Sequence, residues 1–94
     1  MLLTLSMRVS ASPDVLMNVL DGQSVLLDLK AGRYFGLDEV GTRMWQALTA
    51  SQSVEAGYSA LLAEYDVEPE RLREDLLALA AKLIENGLLE AHGA

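Results

Sequence analysis

The chain has no cysteine, so disulfide staples, thiolate metal sites and cysteine nucleophiles are excluded, and stability must come from packing. It has a single histidine, His92, two residues from the C-terminus, where a general base or metal ligand could not be held rigidly. Basic residues are scarce: seven stand against fourteen acidic ones, for a net charge of −7. Phosphate contacts need clustered Lys and Arg to release counterions, so nucleic acid is disfavoured as a partner. Long apolar runs are also missing. Met1–Leu5 is apolar, but Arg8 follows within three residues and no basic stretch precedes it. That is too short for a membrane span or a signal sequence. The segment reads as a frayed terminus or a short extra strand, and the chain as cytoplasmic, with no membrane partner.

Apolar residues make up 51% of the 94 positions, ample for one compact core. A chain this small buries only roughly 60–65% of the surface its unfolded form exposes, so one core is the ceiling. The apolar period switches from 2 to 3.6 near residue 38. Val15, Met17 and Val19 alternate with Leu16, Asn18 and Leu20, and Val25, Leu27 and Leu29 with Leu26, Asp28 and Lys30. Asp21-Gly22 between them marks a hairpin turn. A two-residue loop sets Asn18 opposite Val25, whereas a three-residue loop, Asp21–Gln23, pairs Val19 with Val25, Met17 with Leu27 and Val15 with Leu29. Matching of apolar rows favours the three-residue loop. Ala31-Gly32 makes the next turn, and Arg33-Tyr34-Phe35-Gly36-Leu37 is a short third strand.

Three helices follow. Asp38 is suited to cap the first, whose Val40, Met44 and Leu48 recur on one stripe flanked by Trp45. Ser53 caps the second, with Val54, Tyr58, Leu61, Leu62 and Tyr65 on one face. Pro69 fits the first turn of the third, Leu72, Leu76, Leu79, Ala80 and Leu83 mark its buried stripe, and Gly87 is its left-handed stop. Leu88 and Leu89 then fold back or add a strand. The fold expected is α+β and winged-helix-like, a three-stranded antiparallel sheet followed by three helices. Residues 1–12 form a flexible segment or extra strand, 13–90 the domain, and 91–94 a tail.

Catalytic chemistry finds no support. The serines lack a histidine partner and a nucleophile elbow, and the glycines fit neither a phosphate loop nor a dinucleotide fingerprint. Glu68, Glu70, Glu74 and Asp75 show no metal-loop spacing and suit the dipole and solubility of the third helix. No cofactor is expected. Helices with a small sheet also describe a winged helix-turn-helix, but the third helix sets Arg71, Arg73 and Lys82 against Glu70, Glu74, Asp75 and Glu85. That is the wrong balance for a major-groove helix, which leaves DNA binding a second alternative.

The stretch from Leu26 to Trp45, LLDLKAGRYFGLDEVGTRMW, resembles the PqqD family, named for the pyrroloquinoline quinone synthesis protein D. Its pattern is a leucine-rich strand, a Gly-x-Tyr turn and strand, Leu-Asn or Leu-Asp, and a helix with a late Trp or Leu. Ser53-Val54-Glu55, Tyr65-Asp66-Val67, Glu74-Asp75-Leu76-Leu77 and Gly87-Leu88-Leu89 continue the likeness over roughly residues 13 to 90. The resemblance implies a non-catalytic recognition element for ribosomally made peptides. In such domains a precursor's leader segment adds as a strand along the third strand, in the groove beside the third helix. The domain then hands the precursor to a radical-SAM enzyme, a cyclase or a leader protease. The Gly-Arg-Tyr-Phe turn resembles stand-alone lasso-peptide proteins and unassigned relatives more than quinone-synthesis members, which remain the alternative.

On these residues the receiving edge is Arg33, Tyr34, Phe35 and Gly36. Tyr34 and Phe35 point to opposite faces, so at most one lines the groove directly. Leu72, Leu76 and Leu79 are core by period, with their margin available as a pocket wall. Arg33, Arg73 and Asp75 are candidates for polar contacts at the rim.

Overall fold

The computed structural model describes residues 4–92, arranged as β1 (Arg8–Ala11), β2 (Val15–Leu20), β3 (Gln23–Asp28), β4 (Arg33–Leu37), α1 (Glu39–Ala50), α2 (Val54–Glu64), α3 (Pro69–Glu85) and β5 (Leu89–His92). The expected α+β architecture is present: β2, β3 and β4 form a three-stranded antiparallel sheet, and the three helices follow it. Among the described residues, no helix is long and apolar enough to cross a membrane. A second sheet joins β1 to β5, with Arg8 opposite His92 and Ala11 opposite Leu89. Thus the extra strand lies at Arg8–Ala11, while residues 1–3 of the apolar start lie outside the described residues. Ala91 and His92, expected in a tail, belong to β5, and His92 Nε2 lies 2.9 Å from Ser10 Oγ. Residues 93 and 94 lie outside the described residues.

The β2–β3 register corrects the three-residue-loop expectation. Leu20 pairs with Gln23, Val19 with Ser24, Asn18 with Val25 and Met17 with Leu26, so Asp21-Gly22 alone forms the loop. Both turn residues have positive φ, 54° and 81°, which is the twist-matched type I′ geometry that Asp-Gly favours. Turn chemistry outweighs the matching of apolar rows. As a result Ser24, Leu26 and Leu37 are buried, while Leu16, Leu20, Val25 and Tyr34 stand on the outer face. The buried Ser24 is satisfied by Thr42 of α1, Oγ to Oγ1 at 2.7 Å, which ties sheet to helix.

The helix boundaries follow their caps. Asp38 Oδ1 accepts from Gly41 N at 2.7 Å, and Ser53 Oγ accepts from Ala56 N at 3.0 Å. The start of α2 is held further by the carbonyls of Met7 and Leu5, which accept from Val54 N and Glu55 N. Pro69 occupies the first turn of α3, and Gly87, with φ 75°, ends it. Arg43 grips Glu64 with Nε and Nη2, at 2.9 and 2.7 Å, linking α1 to the end of α2. The core gathers Leu26 and Leu37 of the sheet with Met44, Trp45, Leu48, Val54, Leu61, Leu72, Leu76 and Leu83 of the helices. Val40, expected on the buried stripe of α1, is 46% exposed; Gly41 and Thr42 turn inward in its place.

Two outcomes are expected from this arrangement. Leu76→Ala, at a site with no exposed surface, should destabilise the protein by about 2–5 kcal/mol in urea unfolding. In native-state hydrogen exchange, the amides of β3, flanked on both sides, should be protected. Those of β4 that point away from β3 should exchange much faster, and equal protection across both strands would contradict an open edge.

Candidate functional site

In the order β2-β3-β4, β4 is an edge strand, so among the described residues one row of its N–H and C=O groups has no strand partner. That edge faces α3 across an open groove, because the helix packs its leucines against α2 and β5 rather than along β4. The two elements run in opposite senses. At one end Arg33, at the start of β4, sends Nη2 to the carbonyl of Asn86, just past α3, at 3.4 Å. Midway, the Lys82 ammonium lies over the Phe35 ring, 5.6 Å from its centroid. At the other end Val40 and Met44 of α1 meet Leu72, Arg71 and Asp75 of α3, with Tyr65 and Val67, around a cavity of about 150 Å³. A smaller cavity of about 40 Å³ lies at the first end, among Asp28, Arg33, Tyr34, Phe35, Asn86 and Leu88.

Alternation along β4 decides which aromatic serves the groove. Phe35 pairs with the buried Leu26 and sits on the inner face, half-buried. Tyr34 pairs with Leu27 on the outer face and is 78% exposed. Gly36 is also on the outer face, opposite Val25, with open space around it. Phe35 is therefore the aromatic that faces α3.

The α3 residues divide by helical angle, about 100° per residue. Leu72 and Asp75 line the apolar cavity, and Leu79, half-buried, lies about 40° from Asp75 on the same flank. Leu76 has no exposed surface and belongs wholly to the core. The structure places Arg73 about 200° from both Arg71 and Asp75, exposed on the opposite side of the helix from the groove. It brings together instead Arg71, Asp75 and Lys82, with Asn86 beyond them. Sequence reasoning missed Arg71, Lys82 and Asn86 as groove residues, together with Val40 and Val67. The available signal was their recurrence at three- and four-residue steps along the flank of the leucine stripe, rather than within it.

This site offers main-chain hydrogen bonds along one side, an apolar cavity at one end, Arg33 at the other and Lys82 between them. It is a shape for an extended chain, in which backbone groups supply affinity and alternate side chains fill pockets.

Comparisons agree with the architecture. The family model "Coenzyme PQQ synthesis protein D (PqqD)" matches residues 23–89, which is most of the chain. Among solved structures, TbiB1 in complex with the TbiA(β) leader peptide is 35% identical with a TM-score of 0.81, covering 90% of this chain and 99% of that one. Lasso peptide synthetase B1 complexed with the leader peptide is 29% identical with a TM-score of 0.78, covering 88% and 98%. No curated protein matches. With the matched segment running from β3 to the start of β5, the chain belongs to the PqqD family.

Proposed function

We propose that this protein is a non-catalytic recognition element for the leader segment of a ribosomally made precursor peptide, and that it presents that precursor to a modifying enzyme. The observation that carries the reading is the unpaired β4 edge facing α3, in a fold shared with two proteins described in complex with leader peptides. The leader adds as a fourth strand beside β4. Its backbone satisfies the free edge, and its inward side chains enter the Val40–Met44–Leu72 cavity and pack on Phe35. Ordering a flexible peptide offsets part of that gain, so a few well-filled pockets decide the affinity.

The pathway favoured is lasso-peptide or similar biosynthesis, in which the enzyme partner is a cyclase or leader protease; a radical-SAM enzyme would take that place in other ribosomal-peptide pathways. One of the two similar structures is described as a lasso peptide synthetase component. A second reading, the same role in pyrroloquinoline quinone synthesis, is favoured by the description of the family model. DNA binding is disfavoured, since α3 exposes Glu74, Asp75 and Glu85 beside Arg71, Arg73 and Lys82.

Titrating isotopically labelled protein with the leader peptide encoded beside its gene should give saturable amide shifts concentrated on Arg33–Leu37 and Leu72–Leu79. Shifts confined to the α1 surface remote from β4, or none at all, would overturn the proposal. A gel shift with neighbouring promoter DNA should show no complex at moderate salt.

A further inference from the structure

We infer that the Arg33 end of the groove is a carboxylate clamp, formed by Arg33 and Lys82 over Phe35, and that the peptide segment accepted there carries an acidic side chain. The inference rests on the strand-addition reading above and names a chemical requirement within it.

The chain has two carboxylates for every basic residue, so a cation without a carboxylate partner calls for explanation. Among the described residues the ion pairs are Arg43 with Glu64 and, at 4.0 Å, Arg71 with Asp75. Arg8, Lys30 and Arg73 are dispersed over β1, a turn and the far side of α3. Arg33 and Lys82 differ from these because they stand on opposite walls of one groove, one on β4 and the other on α3. Arg33 Nη2 donates to the Asn86 carbonyl at 3.4 Å. Asn86 in turn donates twice to the Lys82 carbonyl, from N at 3.1 Å and from Nδ2 at 2.8 Å. The Lys82 ammonium is stationed above the half-buried Phe35 ring.

The end of α3 accounts for part of this. A helix C-terminus carries about half a negative charge and attracts cations. Asp28 adds a full charge at the same cavity, with its Oδ1 already accepting from Lys30 N and Ala31 N at 3.1 Å each. Asp28 and Glu85, three residues on from Lys82, offset the charge of this end, but among the described residues neither comes within 4.0 Å of Arg33 or Lys82, so both cations stay open to an incoming carboxylate. The Phe35 ring removes water from one side, which strengthens any charge pair formed there. The arginine fork suits a carboxylate geometrically as well as by charge. At the opposite end the cavity is apolar, and its one cation, Arg71, already has Asp75 as a partner at 4.0 Å, so an acidic side chain finds no open cation there. The open cations are thus confined to one part of the groove, and one acidic residue placed there would fix both the direction and the register of the incoming strand.

The test uses the leader peptide encoded beside the gene, synthesised as the native sequence and with every Asp and Glu changed to Asn and Gln. It is titrated into the wild-type protein, Lys82→Gln, Arg33→Gln and, as a control on the far side of α3, Arg73→Gln. Native peptide should bind wild type and R73Q alike, and bind K82Q and R33Q roughly five- to tenfold more weakly. The amide-substituted peptide should lose the same factor on wild type and lose nothing further on K82Q. Binding of native peptide should weaken with added salt. Lys82→Glu should be rescued by a peptide whose acidic residue is changed to Lys. Equal affinity of the two peptides for wild type, or a bound segment without any acidic residue, would overturn the clamp. In that event the amide shifts along Arg33–Leu37 would persist and the strand-addition reading would stand. Loss of those shifts with both peptides would remove the clamp and the reading beneath it together.

Discussion

The strand side chains along the groove owe their side of the sheet to the registers of two tight turns. Asp21 and Gly22 both adopt positive φ, which favours the pairing of Met17 with Leu26, and the next turn, with Gly32 N donating to the Asp28 carbonyl, sets Leu26 beside Phe35. A one-residue slip would turn Leu26, which has no exposed surface, out to water. It would also bury Val25 against the helices. The core and the turn therefore enforce the same register from two directions, one by burial and one by backbone twist. With that fixed, Phe35 must face α3 and Tyr34 must face away.

The groove exists because α3 has other obligations. Its leucines Leu72, Leu76 and Leu83 are committed to the helical core, and Leu88 and Leu89 behind it close on the same core through β5. That leaves the flank carrying Arg71, Asp75 and Lys82 unpacked against β4. Long polar side chains there cover apolar surface with their stems while their heads stay in water, which keeps the free protein from exposing a bare hydrophobic trough. A receptive surface and a soluble free state are thus compatible in a small chain without disulfides.

Much of this was readable from residue order alone. Asp38, Ser53, Pro69 and Gly87 marked helix ends because capping chemistry is local, and each does that job in the structure. The alternation of Tyr34 and Phe35 announced that they would part to opposite faces. Which face each took was hidden, because it depends on the pairing of β4 with β3, a register that the residue order around Ala31-Gly32 does not settle. Arg73 and Arg71 look equivalent in sequence, yet a 200° difference in helical angle puts only Arg71 beside the cavity. The leucine stripe was legible as core, whereas its flank becomes a wall only through the strand across from it, a long-range relation that no local period encodes. His92 was misjudged for a similar reason, since β5 exists only by pairing with β1 at the far end of the chain.

That pairing has a mechanical consequence. Arg8 and His92 are cross-strand partners, so the first strand and the last lie side by side, their Cα atoms about 5 Å apart. Tension applied through both ends would first release the Leu5 and Met7 carbonyls from α2 and then peel β1 from β5 one rung at a time. The β2–β4 sheet and its groove lie outside that load path until the last rung, Ala11 to Leu89, has opened.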